Sequence, residues 1–180
     1  MTRTAVVALL CLVTVGAGCG TPRHARPVQE DATLEAALAD TATATRPGML
    51  RVRLAFGADA DLDLYLTDLG RRGSETVYFA RHASRTGGRL LRDARCGDPT
   101  PRIDAAVFDP APSAGVRIGV DYHASCHAEA EPVPFVVEVS SDSGREIRHG
   151  VARPGHFADD FWRVQPSGQT DADQYIPNVK

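Results

Sequence analysis

The sequence predicts an all-β fold: an antiparallel β-sandwich, jelly-roll-like, of about seven or eight short strands, set behind a signal peptide and a flexible tether. Two observations predict it. From Met49 onward apolar and polar residues alternate with a period of two, the pattern of strands with one buried face. Short Gly-, Pro- and Ser-containing turn signals then separate one alternating run from the next. The boundaries follow as 1–18 for the signal, 19–47 for the tether, 48–165 for the sandwich and 166–180 for a polar, flexible tail.

The N-terminal element is read from charge and length. Arg3 gives a basic start, Ala5 to Val15 form an apolar stretch interrupted only by Thr14, and Gly16-Ala17-Gly18-Cys19 follows. About eleven apolar residues are too few to cross a hydrocarbon core, which needs roughly twenty. A short apolar stretch before small residues is instead the pattern of a secretory signal peptide. Cys19 after small residues resembles the lipobox of bacterial lipoproteins, although Gly16 stands where Leu is usual. The resemblance implies that Cys19 is diacylated, becomes the first mature residue and anchors the chain to a membrane of the bacterial cell envelope. Gly20 rather than Asp after the Cys points to the outer membrane. The rival is an ordinary signal peptide that releases a periplasmic or secreted protein.

Residues 20–47 are polar and contain Pro22 and Pro27, as a tether should. Glu30 to Asp40, rich in Ala and Leu, has the composition of a short helix within it. Leu50, Val52, Leu54 and Phe56 then alternate with Arg51 and Arg53, and Leu62, Leu64 and Leu66 alternate with Asp61, Asp63 and Tyr65. Further strands are expected at Thr76–Ala80, Ile103–Phe108, Val116–Tyr122, Pro134–Val139, Glu146–Val151 and Phe157–Val164. Gly70–Gly73, Gly87-Gly88, Asp109-Pro110, Ser113–Gly115 and Ser143-Gly144 read as the turns. Phe79, Phe108, Phe135, Phe161 and Trp162 are expected to pack in the core.

Charge excludes one class of partner. The chain carries 20 basic and 23 acidic residues, and the only Lys is Lys180. Nucleic acid binding needs a concentrated basic face, and no Arg cluster supplies one.

The chain has four Cys. Cys11 lies in the apolar stretch and Cys19 is the lipidation residue, which leaves Cys96 and Cys126 as a pair in a chain bound for an oxidising compartment. One structural disulfide is the expectation, and closing a loop of about thirty residues contributes roughly 3–4 kcal/mol. A zinc site from Cys96, His123, Cys126 and His127 is the alternative, because His123-x-x-x-His127 has a spacing that zinc sites use. His82, His149 and His156 read as surface or strand-end residues.

The richest chemistry lies in Gly57-Ala58-Asp59-Ala60-Asp61-Leu62-Asp63. Carboxylates at every second position share one face of an extended chain, and converging hard oxygens suit Ca²⁺. Asp59, Asp61 and Asp63 are therefore candidate Ca²⁺ ligands, with Asp93, Asp98 and Asp104 as acids that loops could add. The segment is not an EF-hand, since Leu64 occupies the place of the Gly and Gly70 that of the bidentate Glu. The plain alternative is a solvated strand face whose acids pair with Arg51, Arg53 or Arg92.

Taken together, Asp61-Leu62-Asp63-Leu64-Tyr65-Leu66, Gly87-Gly88-Arg89-Leu90-Leu91-Arg92-Asp93 and Gly115 to Tyr122 resemble the YfaP-like bacterial domain of unknown function, over about Leu50 to Val139. The Gly-Pro-Glu usual in that group is represented only by Gly97-Asp98-Pro99. The Asp-x-Asp-Leu-Tyr strand is also similar to the bacterial pre-peptidase C-terminal domain. That second resemblance implies Ca²⁺ and attachment to proteins or polysaccharide; neither family is an enzyme by itself.

No Gly-x-Ser-x-Gly elbow, His-Glu-x-x-His, phosphate loop or dinucleotide fingerprint is present in the sequence. The expected function is a non-enzymatic, envelope-anchored binding or structural module without a resident cofactor, partnered by the membrane through Cys19 and by an envelope protein or polysaccharide. A Ca²⁺-dependent carbohydrate- or protein-binding accessory module is the second expectation. A small periplasmic hydrolase or metalloprotein centred on His123, Cys126 and His127 is the third.

Overall fold

The structure, a computed structural model, describes residues 26–40, 45–70 and 74–165, with side chains from residue 30. The signal peptide, Cys19 and the C-terminal tail lie outside the described residues. One helix and nine strands are described: α1 (Arg26–Asp40), β1 (Leu50–Phe56), β2 (Ala60–Asp68), β3 (Thr76–Val77), β4 (Gly88–Arg92), β5 (Arg102–Phe108), β6 (Val116–Ser125), β7 (Val133–Ser141), β8 (Gly144–Ala152) and β9 (Phe157–Val164). They form two antiparallel sheets, a five-stranded one ordered β4-β5-β1-β7-β8 and a four-stranded one ordered β3-β2-β6-β9.

The period of two sets which residues face inward. Leu50, Val52, Leu54 and Phe56 of β1 meet Leu62, Leu64 and Leu66 of β2, with Val116, Ile118 and Val120 of β6, Phe135 and Val137 of β7 and Trp162 of β9 in the same core. Phe108, Phe135 and Trp162 occupy the expected core, and Phe161 packs at its margin against Phe135, ring centroids 4.9 Å apart. Phe79 does not; it lies on the outer surface described below.

Two differences from the sequence reading have physical causes. Gly87-Gly88 does turn the chain, with Gly87 at φ 93°, but Gly88 also begins β4. Gly88 lies against the Phe108 ring, where a Cβ would come within 2.6 Å, so the glycine is a packing residue as much as a turn residue. The second difference is α1. Residues 26–40, expected within a free tether, form a helix docked on the outer face of the five-stranded sheet. Leu34 and Leu38, one helical turn apart, bury against Ala55 of β1, Ile103 of β5 and Val136 of β7. Arg53 donates from Nη2 to the carbonyl of Leu38 at 2.5 Å, serving one of the last carbonyls of the helix. His149 of β8 adds contacts to Asp31 (3.5 Å) and Glu35 (2.8 Å) on the helix.

Candidate functional site

β2 is the strand that builds the site. Ala60, Leu62, Leu64 and Leu66 face inward, so Asp61, Asp63, Tyr65 and Thr67 are turned to the outer face of the four-stranded sheet. β3 pairs only with Leu66 and Thr67, which leaves the edge of β2 open from Ala60 to Tyr65. Asp104 of β5 fills part of that edge from the opposite sheet. Its Oδ2 accepts the N–H of Leu64 at 3.2 Å and its Oδ1 accepts the N–H of Ala94 at 2.8 Å.

Asp63, Asp93 and Asp104 converge here, each offering a carboxylate oxygen within 4.8 Å of the others. Asp63 comes from β2, Asp104 from β5 and Asp93 from the residue after β4. A cleft of about 200 Å³ opens beside them, lined by Asp61, Asp63, Phe79, Asp93, Arg95 and His123. Asp61 and Asp63 are 8 % and 3 % exposed, so the strand face is not the solvated one that alternation alone would allow. Of the expected arginines, Arg51 and Arg53 lie on β1 of the other sheet, and Arg53 pairs there with Glu138. Arg95 reaches Asp93 instead, with Nε and Nη2 both 2.8 Å from Oδ2.

Burial dominates the electrostatics. It pushes the Asp63 carboxyl up to about 6, against the opposing effect of His123. It pushes Asp104 up to about 8, although the N–H groups of Ala94 and Leu64 act the other way. Asp61 is raised for the same reason. Oδ1 of Asp61 and Oδ2 of Asp63 are buried without a hydrogen bond. His123 Nδ1 lies 3.2 Å from that Asp63 oxygen, close enough to pair electrostatically but without hydrogen-bond alignment.

Asp59 does not join the cluster. It precedes β2 at a bend and meets His127 Nε2 at 3.1 Å. The strand alternation therefore holds for Asp61 and Asp63 but ends before Asp59, and the acids the strand recruits are Asp93 and Asp104. The four-residue zinc arrangement is also corrected. Cys96 and Cys126 sit at disulfide distance, Cα atoms 5.3 Å apart, so their sulfurs face each other rather than an ion. His123 and His127 turn to different carboxylates, Asp63 and Asp59. The bridge ties the segment after Asp93 to the end of β6, and Arg102 Nη1 secures the same corner by donating to the carbonyls of Ala58 (2.9 Å) and Ala60 (3.1 Å).

Next to the cleft a row of rings crosses the outer face. Phe157 meets Tyr65 at 4.6 Å, Tyr65 stacks on Tyr78 at 4.8 Å and 14°, Tyr78 meets Phe79 at 5.4 Å, and Phe79 meets His123 at 5.1 Å. Gly119 of β6, opposite Tyr65, makes the row possible: a Cβ there would lie 3.0 Å from the Phe157 ring. Phe157 is 43 % exposed, so the end of the row is open to solvent. Nothing in the sequence joined these rings, because Tyr78 and Phe79 follow a two-residue strand and reach the row only through the turn after it.

Two larger hollows lie elsewhere, about 470 Å³ beside Glu75 and Arg85, and about 590 Å³ between α1 and β8. The first is lined by groups that pair with each other, Arg85 with Glu75, and the second is the seam of the docked helix. The second holds one buried oxygen without a hydrogen bond, Asp31 Oδ1, against two in the Asp cleft, and His149 lies 3.5 Å from the other oxygen of Asp31. Comparisons with protein-family models, curated proteins and solved structures find no match.

Proposed function

We propose that this chain is an envelope-anchored, non-enzymatic β-sandwich module that binds an envelope polysaccharide through the outer face of its four-stranded sheet. The observation that carries the reading is the row Phe157–Tyr65–Tyr78–Phe79–His123 ending at a cleft of carboxylates. Ring faces offer flat apolar area to the C–H faces of pyranose rings at low entropic cost. Carboxylates and an imidazole beside them accept or donate the hydrogen bonds that sugar hydroxyls require. Anchoring is supported by the lipobox-like Gly18-Cys19 and the apolar stretch before it. The side chains of the cleft are carboxylates, a guanidinium, an imidazole and a phenyl ring, a set that can hold a sugar through hydroxyl hydrogen bonds and ring contact.

Co-sedimentation of the mature domain with insoluble envelope polysaccharide tests this. The wild type should be retained, and Tyr65→Ala and Phe157→Ala should lower retention about tenfold each, the loss of roughly 1.4 kcal/mol of ring contact. Equal retention of wild type and both variants, or none for the wild type, would refute it.

A further inference from the structure

We propose that Asp63, Asp93 and Asp104 hold a hard divalent cation of the calcium class at the open edge of β2, with Asp61 as the adjoining carboxylate. Ligands on opposite sides of a Ca²⁺ ion at roughly 2.3–2.6 Å stand about 4.6–5.2 Å apart. The three Asp oxygens, all within 4.8 Å of one another, fit around such a centre without rearranging the strands. The second, independent observation is the state of the acids. Asp61 and Asp63 are more than nine-tenths buried, line the cleft, and carry oxygens with no hydrogen bond. Buried carboxylate oxygens without a hydrogen bond are costly, and buried charges are found paired or on metals; His123 faces Asp63 without hydrogen-bond alignment, and Arg95 touches Asp93 directly while acting on Asp61 only through space.

The donor set selects the ion. Three carboxylates on β2, β5 and the end of β4 are oxygen-only donors, which suit Ca²⁺ rather than Zn²⁺. A rival grouping of Asp63, Asp121 and His123 adds a nitrogen and would favour a borderline ion. Both groupings use Asp63, so one ion excludes the other, and Asp93 and His123 tell them apart. The framework is stiff, because the Cys96–Cys126 bridge and the Ala94 N–H bond to Asp104 fix the segment that carries Asp93. The cation site goes beyond the polysaccharide reading and does not depend on it; losing the rings leaves every proposed ligand in place.

The test is metal titration of the chelator-stripped mature domain, followed by melting temperature and by Tb³⁺ luminescence sensitised through the neighbouring Tyr rings. Low-millimolar Ca²⁺ should raise the melting temperature by about 5 °C, the size expected for an extracellular-type site well above its Kd. Asp93→Asn, which alters the most accessible ligand, and Asp63→Asn should each remove the rise and the Tb³⁺ signal, while Asp59→Asn and His123→Gln should keep both. No response of the folded wild type to Ca²⁺ or Tb³⁺ would overturn the proposal. So would a response retained in Asp93→Asn, or a Zn²⁺ response that His123→Gln alone abolishes.

Discussion

Asp104 and Leu64 are joined across the two sheets: the Asp104 carboxylate on β5 accepts the backbone N–H of Leu64 on β2 at 3.2 Å. Leu64 belongs to the strand edge that β3 is too short to cover, so a side chain does the work of a missing strand. Ala94 N–H binds the other oxygen. Asp104→Ala leaves two buried donors unmet and should cost about 2 kcal/mol or more in the metal-free protein. Asp104→Asn, which keeps one acceptor, should cost less. Urea unfolding in chelator measures both, and an Asp104→Ala variant as stable as wild type would show that water replaces the carboxylate there.

Glu138 gives the fold an acid-sensitive contact. It is 1 % exposed, directly opposite Arg53 in the β1–β7 register, and receives Arg53 Nε at 2.9 Å and Nη2 at 2.6 Å, with Arg145 on its other oxygen. Burial alone would raise its carboxyl; the bonds from Arg145 and Arg53 outweigh burial and hold it below its ordinary value. A lowered folded-state value means that the stabilisation is complete above the unfolded Glu range and is lost as the pH falls through the folded value. Asp63 and Asp104, whose carboxyls are raised, act in the opposite sense, so the useful quantity is a difference. Melting temperature against pH should show wild type and Glu138→Gln converging toward low pH. Near neutrality the variant should be less stable by about 3–5 kcal/mol, read from denaturant unfolding, since two guanidinium groups lose the charge they bond to.

Helix α1 contributes to the domain rather than merely preceding it. Leu34 and Leu38 are 1 % and 0 % exposed against Ala55, Ile103 and Val136. Leu38→Ala should therefore destabilise the domain by about 2–4 kcal/mol, the cost of a buried cavity. Chemical denaturation of a chain starting at Gly20 tests it. A change under about 0.5 kcal/mol, typical of an exposed site, would place the segment in the tether after all.

The sandwich and two acids of the cleft, Asp61 and Asp63, were legible because both follow from strand periodicity. β1, β2 and β6 announce themselves by alternation and the other long strands by their runs between turn signals, and alternation alone puts Asp61 and Asp63 on one face. Asp93 and Asp104 could be flagged as acids within reach, but only the pairing of β4 with β5 brings them to β2. Docking of α1 left a trace that periodicity by itself does not weigh. Phe135-Val136-Val137 is apolar on both faces of β7, the mark of a strand covered on both sides. The ring row was not legible, since it joins residues from β2, β9 and a turn through contacts that no local pattern encodes.

The docked helix also changes what the anchor would do. If Cys19 carries the lipid, six residues lie between it and Arg26, the first residue of α1. The seven Cα-to-Cα steps from Cys19 to Arg26 span at most about 25 Å, less than the roughly 35 Å diameter expected of a compact domain of this size. Lipidation at Cys19 then keeps the sandwich close against the bilayer surface, with α1 nearest the anchor, instead of letting it range outward on a tether of 19–47. A single-residue change separates this from release by an ordinary signal peptidase. Cys19→Ala should move the protein from the membrane to the soluble fraction, and metabolic labelling with a palmitate analogue should mark the wild type alone. Lengthening the stretch between Gly20 and Arg26 with a Gly-Ser insert should leave membrane retention unchanged but open α1 to proteolysis or surface labelling in intact envelopes. Retention of Cys19→Ala in the membrane fraction would mean that something other than the lipid holds the protein there.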